Sequence, residues 1–137
     1  MQFPPELVIE IEARLDDAKR LYPGALSKDR KALLVDGGIG YGCYVAPDGD
    51  IFMETYDAGS DEPSTFDRSR RAQIAVLVLG SRTIPKLSEL LPTRPADALP
   101  CAKCTGTGWL NPEWLQRFGG RGIFCDECSG LGWVESS

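Results

Sequence analysis

The chain has no histidine. That absence removes Ser–His and Cys–His catalysis and most catalytic zinc sites. No hydrophobic run approaches the roughly 20 residues of a membrane-spanning helix, so no membrane partner is expected. Positive charge is in the minority, with 15 Lys and Arg against 20 Asp and Glu and a formal net charge of -5. The basic stripe that marks a nucleic-acid binder is missing. The N-terminus, Met1-Gln2-Phe3-Pro4-Pro5-Glu6, lacks the basic start and apolar stretch of a secretion signal. The expectation is a cytoplasmic protein.

What is present is one phrase written twice in the last third of the chain. The first copy is Cys101-Ala102-Lys103-Cys104-Thr105-Gly106-Thr107-Gly108-Trp109-Leu110. The second is Cys125-Asp126-Glu127-Cys128-Ser129-Gly130-Leu131-Gly132-Trp133-Val134. Cysteines, glycines and tryptophan recur at one constant offset. Two cysteines separated by two residues can both point at one tetrahedral ion, and two such pairs complete a closed, structural four-thiolate zinc site. The glycines suit a chain that turns tightly round a metal, because they take positive φ without steric cost. Such turns aim backbone N–H groups at the thiolates and spread their charge. Two structural disulfides or four free thiols are the competing readings, and disulfides would need an oxidising compartment. A thioredoxin-like redox pair would need a single Cys-x-x-Cys at the head of a helix.

The pattern Cys-x-x-Cys-x-Gly-x-Gly resembles the cysteine-rich zinc finger of DnaJ-type chaperones. That family carries four copies and binds two zinc ions, each ion taking two copies. The resemblance covers residues 101 to 133 and implies one zinc ion per chain, on Cys101, Cys104, Cys125 and Cys128. It does not extend to stimulating a heat-shock ATPase, because the His-Pro-Asp motif of the J-domain needs a histidine. Between the two copies, Asn111 to Phe124 reads as a helical turn, with Asn111 as cap and Pro112 at the first helical position.

The remainder of the chain reads as an ordinary small domain. Residues 5 to 22 form an amphipathic pattern, with Leu7, Val8, Ile11, Leu15, Ala18 and Tyr22 at helical spacing. Pro23-Gly24 stops it. Lys31 to Asp36 predicts a strand. The glycines that follow, Gly37-Gly38-Ile39-Gly40-Tyr41-Gly42, do not make a dinucleotide loop. That fingerprint, started at Gly38, needs glycine where Cys43 stands, and a strand follows instead of a helix. A flexible or bulged connection is expected. Cys43–Ala46 and Ile51–Tyr56 form a hairpin about the turn Pro47-Asp48-Gly49-Asp50. Its alternation places Ile51, Met53 and Thr55 on one face, and Phe52, Glu54 and Tyr56 on the other. Cys43 has no pattern partner and is expected as a buried structural thiol.

Ser64 or Thr65 is expected to cap a segment reaching Leu79. A buried strand is an alternative for its apolar half, but the cap, the length and Gly80 favour a helix. Thr83 to Leu91 predicts a short helix with Pro85 in its first turn. Pro92, Pro95 and Pro100 predict a stiff extended linker.

The sequence therefore predicts an α+β protein with a small antiparallel sheet and flanking helices over residues 1–92. A proline-rich linker over 93–100 leads to a one-zinc, DnaJ-type cysteine-rich module over 101–137. That module is too small for a core of its own and should depend on its metal for folding. No catalytic residue is expected. The leading functional expectation is a non-catalytic, zinc-binding adaptor or chaperone-like module whose partner is another protein or an unfolded polypeptide. Its support is the resemblance together with Trp109, Trp114, Phe118 and Trp133, crowded into a module with little interior. A thiol–disulfide exchange enzyme using the zinc-site cysteines is the second expectation. An immunity-type inhibitor using the acidic first domain is the third.

Overall fold

A computed structural model describes residues 2–57, 59–111, 113, 117 and 123–135. The chain divides into two compact units, Met1–Leu90 and Leu91–Ser137. The first is α+β. Helix α1, Pro5–Leu21, begins with proline inside its first turn, where the missing N–H costs nothing. Glu6 lies in its first turn and Lys19 and Arg20 in its last, as the helix dipole favours. Leu7, Ile11, Leu15 and Ala18 are the buried stripe. Val8 is half-buried and Tyr22 is exposed, so the stripe is narrower than the sequence pattern suggests. The chain leaves the helix through a single 3-10 turn at Pro23–Ala25.

Four antiparallel strands follow, in the order β1-β2-β3-β4. They are β1 (Leu33–Gly38), β2 (Tyr41–Val45), β3 (Ile51–Thr55) and β4 (Thr65–Asp67). The glycine run is not a loose connection. Gly37 and Gly38 close β1, Gly42 lies inside β2, and only Ile39 and Gly40 turn. The bulge falls earlier, between Leu34 and Asp36, where β1 gains a residue over β2. Gly49, with φ of 95°, completes the β2–β3 turn. Both faces of the sheet are covered near its centre, because neighbours Ile51 and Phe52 are both buried. Tyr44 stacks on Phe52 at 5.2 Å between ring centres. Leu34 packs on the cluster that Tyr44 and Phe52 form with Ala32 and Ala46.

The segment after the acidic loop departs from the expected helix. Thr65–Asp67 is strand β4, paired with Met53–Thr55 of β3. Tertiary contacts override the local cap signal there. Phe66 meets Phe52 edge-on at 5.9 Å, and the Arg68 guanidinium lies 4.5 Å from the centre of the Phe52 ring. Arg68 also donates two hydrogen bonds to Asp50, at 2.9 and 3.0 Å. Helix α2, Arg70–Gly80, starts only afterwards, and its cap is Ser69, whose Oγ accepts the Ala72 N–H at 3.2 Å. Gly80 is the last residue of the helix, not the stop beyond it. A β-carbon there would fall 2.7 Å from Val35 Cγ2 and 2.9 Å from Leu87 Cδ1. Helix α2 packs across β1, β2 and β3. The segment expected as a third helix is a 3-10 stretch, Pro85–Leu90, pinned by the fully buried Ile84 and Leu87.

Among its described residues the second unit has four two-residue strands. They are β5 (Leu99–Pro100), β6 (Trp109–Leu110), β7 (Ile123–Phe124) and β8 (Trp133–Val134). β5 pairs with β8 and β6 with β7, both antiparallel. The end of the proline-rich stretch thus belongs to this unit. Between the copies, Glu113 and Arg117 are helical and pair across one turn at 3.4 Å. The expected Pro112 position, Trp114 and Phe118 lie outside the described residues. Among the described residues, no helix is long and apolar enough to cross a membrane.

Candidate metal centre

Each copy of the repeated phrase folds into the same tight turn. After each cysteine pair the chain enters the left-handed region at a hydroxyl residue, Thr105 (φ 54°) and Ser129 (φ 53°), and stays there at the glycine that follows. The Gly106 N–H then donates to the Cys101 carbonyl at 3.1 Å, and the Gly130 N–H to the Cys125 carbonyl at 3.0 Å. Two residues further on, backbone N–H groups point at sulfur. Gly108 N–H donates to Cys104 Sγ at 3.2 Å and Gly132 N–H to Cys128 Sγ at 3.3 Å. Such bonds orient thiolate ligands and disperse their charge.

The two turns are interlocked. The chain entering the first turn pairs with the chain leaving the second, Pro100 opposite Trp133. The chain entering the second pairs with the chain leaving the first, Phe124 opposite Trp109. Further bonds run the same way, Cys101 N–H to the Gly132 carbonyl at 3.0 Å and Cys125 N–H to the Gly108 carbonyl at 3.1 Å. Neither copy is complete without the other. Trp109 and Phe124 meet edge to face at 6.0 Å. Trp133 is buried, so of the aromatics crowded into this module it is one that packs inward. Among the described residues of this unit, the exposed large apolar positions are Leu99 and Ile123, two residues before each cysteine pair.

The four sulfurs meet at the centre of this arrangement. Cys101, Cys104, Cys125 and Cys128 are all buried, and their Sγ atoms lie within 4.8 Å of one another. Cys101 and Cys125 are 3.8 Å apart through sulfur, and so are Cys104 and Cys128. That spacing excludes disulfides between those sulfurs, which need about 2.05 Å. It matches the edge of a tetrahedron whose corners sit about 2.3 Å from a central ion, which is about 3.8 Å. Four soft donors, gathered within 4.8 Å of one another and walled from water, can hold one metal ion.

Comparison with protein-family models, curated proteins and solved structures gives no match. The chemistry of the four thiols carries the functional reading by itself.

Without an ion the cluster resists gathering charge. At Cys104 burial opposes ionisation, but the Gly108 N–H and the neighbouring thiols outweigh it and bring the thiol down to about 6. At Cys128 burial dominates and pushes the thiol up to about 12, against the pull of the Gly132 N–H. At both sulfurs burial works against the charged form. A divalent cation removes that conflict, since ligand thiols bind deprotonated. On the rim, Lys103 Nζ pairs with Asp126 at 2.8 Å and ties the first turn to the second.

Cys43 stands apart from this site, fully buried on β2 in the first unit. Burial pushes its thiol up to about 12, helped by the Asp36 carboxylate. The four-sulfur cluster does not include Cys43, and a thiol held protonated is the unreactive form.

Sequence reasoning located the four cysteines and the role of the glycines. It missed the left-handed Thr105 and Ser129, the crossed strand pairs and the seat of Thr107. The Thr107 hydroxyl donates to the Cys104 carbonyl at 2.8 Å and accepts the Trp109 N–H at 3.1 Å. A hydroxyl residue straight after each cysteine pair was the available signal for the first of these.

Proposed function

We propose that Cys101, Cys104, Cys125 and Cys128 hold one structural zinc ion, and that the chain is a non-catalytic, protein-binding adaptor or chaperone-like module. The pair of 3.8 Å sulfur spacings carries the metal part of this reading. Zinc fits because four thiolates in a closed tetrahedron are its characteristic structural donor set. The ion would fold the module and leave no open coordination position for a substrate. Burial of all four cysteines argues against the thiol–disulfide alternative, since an attacking thiolate has to reach its substrate. The absence of histidine and the acidic balance support a role in binding over one in catalysis or nucleic-acid recognition.

Two assays on the purified, zinc-loaded chain separate the readings. In the first, a chemically denatured model protein is diluted into buffer and its light scattering followed. The adaptor or chaperone-like reading expects suppression at near-stoichiometric chain. In the second, insulin disulfides are offered with a thiol reductant. The proposal expects no acceleration over reductant alone. Catalysed reduction that disappears in Cys101→Ser or Cys128→Ser would replace it with the exchange enzyme.

A further inference from the structure

Among the described residues, the most exposed large apolar side chain is Ile39, at 93 %. It stands in the two-residue turn between β1 and β2, flanked by Gly37, Gly38 and Gly40, so no neighbouring side chain shields it. The tip is nevertheless braced. Tyr56 donates its N–H to the Gly40 carbonyl at 3.0 Å and its hydroxyl to the Gly38 carbonyl at 3.4 Å. The Tyr41 ring lies against Gly38, where a β-carbon would come 2.7 Å from Tyr41 Cε1. The Tyr41 hydroxyl in turn donates to Asp36 at 3.2 Å. Isoleucine is stiff at χ1, so it loses little freedom when it docks. A bare apolar side chain on a braced hairpin, with the half-exposed Tyr56 beside it, has the features of an interface anchor.

The surrounding charge selects the partner. Asp36 sits under Tyr41, Glu54 lies across from Gly42, and Asp57 follows Tyr56. Against these three carboxylates, Arg82 is a cation whose charge reaches Tyr41. An anionic lipid surface or a phosphate backbone would be repelled there. We infer that the Ile39 hairpin tip is the docking anchor for a folded protein partner that offers an apolar socket ringed by Lys and Arg. This inference rests on the reading of the chain as a protein-binding adaptor, but not on its metal.

The test places a photo-crosslinking amino acid at position 39 of the full chain in its source cells. Adducts should concentrate on one folded partner, at an apolar depression flanked by basic residues. With that partner purified, Ile39→Asp should weaken binding about tenfold or more. Asp57→Lys should weaken it too, as should raising salt from about 50 to about 500 mM. Ile9→Asp, at an exposed position on α1, should bind as the native chain does. Ile39 is almost wholly solvated, so thermal unfolding of Ile39→Asp should match the native protein. Scattered or absent adducts, an acidic contact site, or undiminished binding by Ile39→Asp would overturn the inference. So would native-chain binding to phosphatidylcholine–phosphatidylserine vesicles that Ile39→Asp abolishes. A partner that ignores Ile39→Asp but is released by chelation removes this anchor and leaves the adaptor reading standing.

Discussion

Gly132 faces the Gly106 carbonyl so closely that a β-carbon on Gly132 would lie 2.6 Å from the oxygen. Gly108 stands in the same relation to Gly130 in the other copy. The two turns therefore touch backbone to backbone, and this contact brings the two cysteine pairs within reach of one ion.

Gly106→Ala and Gly132→Ala separate backbone strain from close approach. Both glycines have positive φ, at 84° and 85°. A β-carbon on Gly106 would meet nothing nearer than Pro100 Cβ at 3.6 Å, so its substitution should cost only the left-handed penalty, about 1–2 kcal/mol. Gly132→Ala must also push the two turns apart. It should lower metal affinity, measured by chelator competition, well below that of Gly106→Ala. Equal affinities would mean the contact is incidental.

Chelation should divide the chain. Among its described residues the second unit has four strands of two residues each, and beyond the cysteines its apolar interior is Trp133 with the partly buried Leu110 and Val134. A structural zinc ion contributes on the order of 10 kcal/mol in small finger peptides. Removing it should abolish amide protection in 101–110 and 123–134, while α1, the four-stranded sheet and α2 keep theirs. Loss of protection in both units together would show that they share stability.

Cys43 predicts an alkaline limit for the first unit. An ordinary thiol releases its proton near 9.0, whereas folded Cys43 holds it to about 12. As pH rises past 9 the unfolded state loses that proton first. The stability Cys43 contributes is therefore complete below pH 9 and falls as pH climbs towards 12. Tyr41 and Tyr44, both raised by burial, act in the same direction. Urea unfolding from pH 8 to about 11 should show a shallower loss for Cys43→Ala than for the native chain. Identical slopes would mean that folding does not hold the thiol's proton beyond its ordinary range.

Ser69, not Ser64 or Thr65, should matter at the head of α2. Ser69→Ala removes the Oγ that accepts the Ala72 N–H and should cost about 1 kcal/mol in urea unfolding. Thr65→Ala, on an exposed edge strand, should stay within about 0.5 kcal/mol. The reverse ranking would restore the longer helix.

These residues show what was legible in the sequence. The repeated phrase announced the cluster because metal ligation is local. Two cysteines and their turn fit within eight residues, and the second copy repeats them. The hairpin was legible for the same reason, through alternation and Gly49. Strand β4 was not, because Phe66 and Arg68 are placed by Phe52 and Asp50, which stand in a different strand and its preceding turn. The same holds for the crossed pairs Leu99–Val134 and Trp109–Phe124, which depend on long-range register. Gly80 looked like a stop signal because sequence cannot show that Val35 and Leu87 occupy the space of its missing side chain.

The most direct test is native mass spectrometry of the chain as purified, with neither reductant nor oxidant added. One zinc ion per chain, adding the mass of zinc less the two hydrogens that its double charge replaces, is the predicted result. Acid release of that ion should expose four additional alkylatable thiols and leave Cys43 unreactive until the chain is denatured. Two ions, or an ion-free chain lighter by the four hydrogens of two disulfides, would contradict the account.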